Sequence, residues 1–352
     1  MTELDILLPF GLPPAELAGD LLKSLDSPSL AVLASRTKSE DARHEVIDEF
    51  RRALPHEAWM ASRFGLEDGL KRHGCPPLAS PLMAAMQLSP EPGTWFVLQP
   101  VHIHIARDHL VLTDPRQLAL QEEESRTLFA IAAPLFAEAG KRLLYGDAAT
   151  WFVEAEDWRE LATSTPDAAC GHNIDIWMPK GERERDWRKV QNDVQMHWFD
   201  HAINEAREAR RQKPVNSVWL WGGPSGPGHG KTRHYDKVFN LSGSLQAFHT
   251  FVPAHGDAAD ATGLLSSASA RNMLLLEALL EPALTNDWGT WLTNMKHLEE
   301  NWFAPLLQAL KSGKIDRVTL IATHDSRISR FTATRSSLRK FWVKPSFAPL
   351  CP

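Results

Sequence analysis

Cysteine is scarce in this 352-residue chain, with only Cys75, Cys170 and Cys351. Three thiols at such distances make no Cys-x-x-Cys pair and no zinc-ribbon spacing, which excludes a disulfide framework, a thiolate zinc site and a dithiol redox motif. A sparse, odd count suits a reducing compartment, so a cytoplasmic protein is expected. No run approaches the ~18 consecutive apolar residues of a membrane helix. The opening "MTELDILLPFG" has no basic segment ahead of an apolar one, so no signal peptide and no membrane partner are expected. Positive charge is short as well: 38 Lys and Arg stand against 44 Asp and Glu, a formal net charge of −6. A general nucleic-acid binder needs the opposite excess to neutralise phosphates. The basic stretch with interleaved aromatics is "RISRFTATRSSLRKFWVK", residues 327–344.

What is present is ordinary globular material, 43% hydrophobic and 23% charged, in a length that suits two domains or one domain with an insertion. Tyr is nearly absent at two residues, whereas Trp reaches 13, which points to aromatic packing in a core. "LDILLPFGLPP" reads as a buried strand stopped by Gly and Pro, and "PAELAGDLLKSL" has helical spacing. "GTWFVLQPVHIHIA" reads as one or two strands. "TDPRQLALQEEESRTLFAIAAPLFAEAG" is a turn and then an amphipathic helix with Gly140 as its stop. A long polar helix is expected from Asp186 to Arg211, ended by Pro214. "VNSVWLWGG" and "KIDRVTLIATHD" have the β-branched and apolar content of buried strands, and "WGTWLTNMKHLEENWFAPLLQALKSG" is a helix ending at Gly313. Strands separated by helices of crossover length indicate α/β architecture with a largely parallel sheet.

Four groups of residues have the chemistry of a site. "SGPGHGKT", residues 225–232, follows a strand as a nucleotide-binding P-loop does, with Gly230, Lys231 and Thr232 in place but Ser225 where the first Gly belongs. The segment after it is a poor helix, and a helix N-terminus supplies half of a phosphate site. A surface loop is therefore the structural reading, and ATP binding through this loop the functional one. His102 and His104 alternate with aliphatic residues and so share a strand face, a zinc-chelating spacing if a third ligand arrives from elsewhere. The structural reading of the same pattern is a half-exposed strand. His324 and Asp325 end a buried strand, where α/β sheets gather ligands and catalysts, and could serve acid–base chemistry. His201, Asn204, Arg207 and Glu208 make one polar helical stripe, close in sequence to Asn216 and to Gly222 and Gly223.

These last residues carry a resemblance. "QMHWFDHAINEAREARRQKPVNSVWLWGG" and "ARDHLVLTDPRQLAL" with the Glu-rich helix behind it resemble the RpfE-type bacterial regulatory proteins. More distantly, the same segments are similar to archaeal-type cofactor-independent phosphoglycerate mutases of the alkaline phosphatase superfamily. The resemblance implies an α/β core of 1–96 and 214–352, to which the Trp-Gly strand returns, and an inserted α+β domain of 97–213. Of the candidate ligand-binding positions, Asn204, Arg207 and Asn216 carry over from the resemblance, while Gly222 and Gly223 are candidates because a ligand's phosphate could approach backbone at a double glycine ending a strand. The mutases' motifs for paired divalent metals, usually manganese, are missing. The first strand ends without an acid, the Asp-Glu-x-Gly-His motif is absent from "EPALTNDWGTWLTNMKHLEENW", and Thr323-His324-Asp325-Ser326 only echoes Asp-His-Ser-Thr-Pro. The expected function is therefore that of a catalytically degenerate relative, a regulatory protein that binds a small anionic or phosphorylated ligand or a protein partner without a cofactor. The alternative is an active phosphoryl-transfer enzyme that uses manganese or zinc.

Overall fold

A computed structural model describes residues 2–37, 44–46 (backbone only), 50–224 and 234–351. The chain forms two compact units, Met1–Glu49 with Thr232–Pro352, and Phe50–Lys231. In chain order the strands of the described residues are β1 (Glu3–Leu8), β2 (His44–Val46), β3 (Trp95–Val101), β4 (Ile103–Ala106), β5 (His109–Leu112), β6 (Arg142–Tyr145), β7 (Trp151–Glu154), β8 (Ser217–Trp221), β9 (Lys237–Phe239), β10 (Ala254–Gly256), β11 (Arg271–Leu275), β12 (Arg317–Thr323) and β13 (Arg327–Thr334).

The first unit is built on one sheet in the order β10-β9-β11-β1-β12-β13-β2. The first four pairings are parallel and the last two antiparallel. The α/β class with a mainly parallel sheet is therefore met. β1 is central because its apolar run is covered on both faces: Leu4, Ile6, Leu7 and Leu8 are buried, as are Val318, Leu320, Ile321 and Ala322 of β12. The predicted helix over 288–313 comes as Trp288–Leu298 and Ala304–Ser312, joined by a π-turn over Glu299–Phe303. Pro305 has no N–H to donate to the carbonyl of residue 301, which favours the wider turn. The displaced Glu299 is buried and accepts from the N–H groups of Ser29 (2.8 Å) and Leu30 (3.1 Å), the start of helix Pro28–Ser35. Gly313 ends the second helix at φ 81°, the left-handed stop its position predicts.

The second unit has a four-stranded antiparallel sheet, β6-β7-β3-β8, and a separate β4–β5 hairpin. Here two sequence expectations are corrected. The Trp-Gly strand β8, expected to return to the parallel core, pairs along β3 with Val97 opposite Trp221 and Val101 opposite Ser217. The compact units accordingly divide at 49/50 and 231/232, whereas the reading by resemblance divides them at 96/97 and 213/214. The helix expected over 186–211 is broken into Glu184–Phe199 and Ala202–Ala209, because His201 adopts an extended conformation and its Nδ1 accepts from Ile203 N–H at 3.2 Å. Aromatic residues fill this core: Trp151 lies edge-on to Trp198 and to Phe129, and Trp158 edge-on to Trp187. Among the described residues no helix is long and apolar enough to cross a membrane.

Candidate functional site

In the first unit the carboxyl ends of the parallel strands collect the polar residues. β1 runs into Pro9 and Phe10, whose φ of 54° turns the chain so that Leu12 N–H reaches Thr323 O at 3.1 Å. Beyond β12, His324 N–H donates to Arg327 O at 2.9 Å and closes the turn into β13. The His324 ring packs edge-on to Phe10 at 5.6 Å, and its Nδ1 bonds Asp325, which also accepts from Ser326 Oγ at 2.8 Å. Burial alone would raise the Asp325 carboxyl, but the hydrogen bond and charge of His324, with help from Ser326, hold it at about 2. On the neighbouring strand ends, Asn240 pairs with both backbone groups of Ala258, and Glu277 accepts from Ser242 Oγ. The sequence-predicted pair His324 and Asp325 is thus a joined imidazole and carboxylate, chemically able to hold or pass one proton.

The second unit brings together a group that no motif announced. Helix Pro55–Arg63 starts with proline at its first turn, and Glu57 turns back so that Oε2 accepts Leu54 N–H at 2.7 Å. The segment Thr165-Pro166-Asp167 repeats the device: Thr165 Oγ1 accepts Ala168 N–H at 3.3 Å and donates to Glu57 Oε2 at 2.7 Å. A third proline-led turn supplies Asp114 and Arg116. The guanidinium of Arg116 clasps both oxygens of Asp167, at 2.8 and 3.2 Å, while its Nε donates to Asp114 Oδ2 at 3.1 Å. A ring nitrogen of His56 and carboxylate oxygens of Glu57 and Asp167 all lie within 4.8 Å of one another. His56 is 1% exposed and Glu57 6%. Burial pushes the imidazole down to about 4, against the pull of Asp167, and pushes the Glu57 carboxyl up to about 8, aided by the charge of Asp167. Burial likewise raises Asp114 and the thiols of Cys75 and Cys170.

The candidate ligand-binding side chains Asn204, Arg207 and Asn216 are engaged with the chain's own backbone, and Gly222 and Gly223 with its packing. Asn204 Nδ2 donates to Trp198 O (2.8 Å) and Val215 O (2.9 Å), and its Oδ1 accepts Val215 N–H (2.8 Å). Fully buried Arg207 donates to Lys213 O (2.9 Å), Leu118 O (2.5 Å) and Glu124 Oε2 (2.5 Å). Asn216 pins both backbone groups of Ile103 at 2.8 Å. Gly222, at φ 66°, gives its N–H to Cys75 Sγ (3.3 Å) and its carbonyl to Ala79 N–H (2.9 Å). A Cβ on Gly223 would come within 2.7 Å of the Phe96 ring, so glycine there is required by packing. His102 and His104 do share a face, with rings stacked at 5.7 Å, but Nδ1 of His102 bonds Pro214 O at 2.8 Å and Nδ1 of His104 meets Thr113 Oγ1 at 3.3 Å. The third ligand expected for them is not found: among the described residues the His56–Glu57–Asp167 group alone has three donors gathered as a metal ion needs. Gly230, Lys231 and Thr232 lie outside the described residues. The signal that sequence reading passed over is the pair Pro-His-Glu and Thr-Pro-Asp, each a proline-led helix start, 110 residues apart.

No protein-family description matches the chain, and no curated protein does. Two solved structures are similar over most of it. The cofactor-independent phosphoglycerate mutase from Thermoplasma acidophilum DSM 1728 superposes at TM-score 0.45 with 14% identity, over 99% of this chain and 94% of its own. The PH0037 protein from Pyrococcus horikoshii superposes at 0.49 with 12% identity, over 95% and 87%. Both scores are below 0.5.

Proposed function

We propose that this protein is a non-catalytic, ligand-binding regulator of the RpfE type, a degenerate relative of cofactor-independent phosphoglycerate mutase that takes a small phosphorylated or anionic ligand. The observation that carries the reading is the state of the acids at the carboxyl edge of the parallel sheet. Phosphoryl transfer by paired metals requires several carboxylates and histidines aimed at two shared points. Here β1 ends in Leu8-Pro9-Phe10, Glu277 is engaged by Ser242, and Asp325 is engaged by His324 and Ser326. The His324 imidazole, held at that edge by Asp325 and Phe10, can meet an anion and needs no metal to do so.

The test is a thermal-shift panel on metal-stripped protein with inorganic phosphate, 3-phosphoglycerate, Mg·ATP, Mn²⁺ and Zn²⁺, singly and in pairs. A ligand at ~100 times its Kd adds roughly 2.7 kcal/mol, a shift of a few degrees in a unit of this size. The reading expects phosphate or 3-phosphoglycerate to stabilise without metal, and His324→Ala to remove the effect. Stabilisation by 3-phosphoglycerate only when manganese is present, with turnover to 2-phosphoglycerate, would overturn it in favour of an active mutase. Stabilisation by Mg·ATP alone, lost in Lys231→Ala, would move the ligand site to the 225–232 loop.

A further inference from the structure

We propose that His56, Glu57 and Asp167 bind one first-row divalent transition ion, zinc by preference, at a site inside the second unit. This goes beyond the reading above and does not depend on it. The donor set is one imidazole nitrogen and two carboxylate oxygens, which suits zinc and its first-row neighbours better than magnesium or calcium, whose sites are built from oxygen. Tetrahedral zinc at 2.0–2.2 Å from each donor holds its ligand atoms about 3.4 Å apart. Donors already within 4.8 Å of one another need to close by only about an ångström, which side-chain torsions can supply.

Three further observations point to a ligand. The first is His56 itself. Its Nδ1 is sealed from solvent and has no hydrogen-bond partner, on a residue 1% exposed. A buried polar atom left unpaired is costly, and each instance calls for a reason. A cation shared with the two carboxylates supplies one.

The second is the way the carboxylates are held. Both hydrogen bonds to Glu57 fall on Oε2, from Leu54 N–H and Thr165 Oγ1, which turns Oε1 over to another partner. Asp167 is fixed by the two-pronged Arg116, which is fixed in turn by Asp114. Metal sites are built this way, with outer partners that orient each ligand.

The third is charge. Asp114 and Asp167 face the single guanidinium of Arg116, and a divalent ion bound in place of the Glu57 proton balances the three carboxylates. Access is from the Asp167 side, where that side chain is 16% exposed and Arg116 39%. Three protein ligands leave a fourth position for water.

The experiment uses the full chain, stripped with a chelator and titrated with Zn²⁺ against a chromophoric competitor, then with Co²⁺ as a visible reporter. One equivalent of zinc per chain is expected, with cobalt d–d bands that zinc bleaches. His56→Gln and Asp167→Asn should each abolish the stoichiometric binding. Arg116→Gln should weaken it by roughly 10- to 100-fold, as loss of an outer partner does. The double variant His102→Asn, His104→Asn should keep it whole. Absence of a zinc equivalent on the wild type overturns the proposal. So does a full equivalent surviving in both His56→Gln and Asp167→Asn. If those variants fail to fold, the wild type still decides. Cobalt at this site must shift one imidazole resonance by direct ligation, and cobalt bound with no histidine shifted overturns the assignment. None of these readouts contains phosphate, so this proposal and the anion-binding reading stand or fall separately.

Discussion

The two units pair histidine with carboxylate in opposite ways. At the carboxyl edge of the parallel sheet, His324 and Asp325 are neighbours in the chain, Asp325 is half exposed, and the imidazole holds its carboxyl at about 2. In the second unit, His56, Glu57 and Asp167 come from two segments 110 residues apart and are held by a third around Arg116, with His56 and Glu57 where water scarcely reaches. There the Glu57 carboxyl rises to about 8 and the His56 imidazole falls to about 4. A histidine beside an acid therefore has no fixed meaning. In a wet site attraction between the charges decides, and in a sealed one the cost of burying either charge does.

The largest expected effect contrasts buried charge in the second unit with exposed charge in the first. Arg207→Ala would leave the Leu118 and Lys213 carbonyls without their donor and take from the Glu124 carboxylate one of its two arginines, Arg210 remaining, in a place where Arg207 is fully buried. Removing one partner from such a network costs about 3–5 kcal/mol, so the variant should melt well below wild type or fail to accumulate folded. Asn204→Ala, which strips two backbone bonds to Val215 and one to Trp198, should cost about 2–3 kcal/mol in denaturant unfolding. If either variant unfolds within 0.5 kcal/mol of wild type, these side chains are not structural clamps, and their role in ligand binding reopens.

Next in size is the pH profile of the metal-free protein. With Glu57 raised to about 8 from its ordinary 4.5, the native state keeps a proton that the unfolded chain releases, so stability falls as pH rises across that interval. His56, lowered to about 4 from 6.5, acts the other way: the unfolded chain takes a proton the native state refuses, so stability falls as pH drops from 6.5 to 4. Between 4.5 and 6.5 the two slopes oppose each other. Between 6.5 and 8 only the Glu57 slope remains, and stability should decline by at most about 2 kcal/mol. Urea midpoints at pH 6.5 and pH 8 check this. Glu57→Gln should flatten the decline, and an unchanged slope in that variant would place its origin elsewhere.

The contrast between the units also explains what could be read in advance. Strand β1, strand β12 and the stop at Gly313 follow from apolar runs and a left-handed glycine, which are local signals. His324 and Asp325 were legible because the pair is contiguous and ends a strand. The Trp-Gly strand was read correctly as a strand but assigned to the wrong sheet, since β-branched and aromatic content says that a segment is buried without saying beside what. Asn204, Arg207 and Asn216 drew notice as polar residues in a patterned stretch. A helix face alone does not tell whether such side chains face a ligand or hold backbone, here that of Ile103, Leu118, Trp198, Lys213 and Val215. His56, Glu57 and Asp167 were missed because their only common sign is a proline-led turn, and folding rather than spacing brings them together.

The smallest expected effect belongs to the exposed pair and sharpens the comparison from the other end. Asp325, lowered to about 2 from an ordinary 3.8, contributes stability that is present above pH 3.8 and lost as pH falls toward 2. Its side chain is 51% exposed, so water and salt screen the interaction, and the contribution should stay under about 1 kcal/mol. Asp325→Asn should therefore leave the urea midpoint at pH 7 nearly unchanged. A drop of several kcal/mol in this variant would mean that the edge pair is as structural as the Arg207 network. The carboxyl edge would then be one more closed network of the core, and the case for an anion site there would lose its premise.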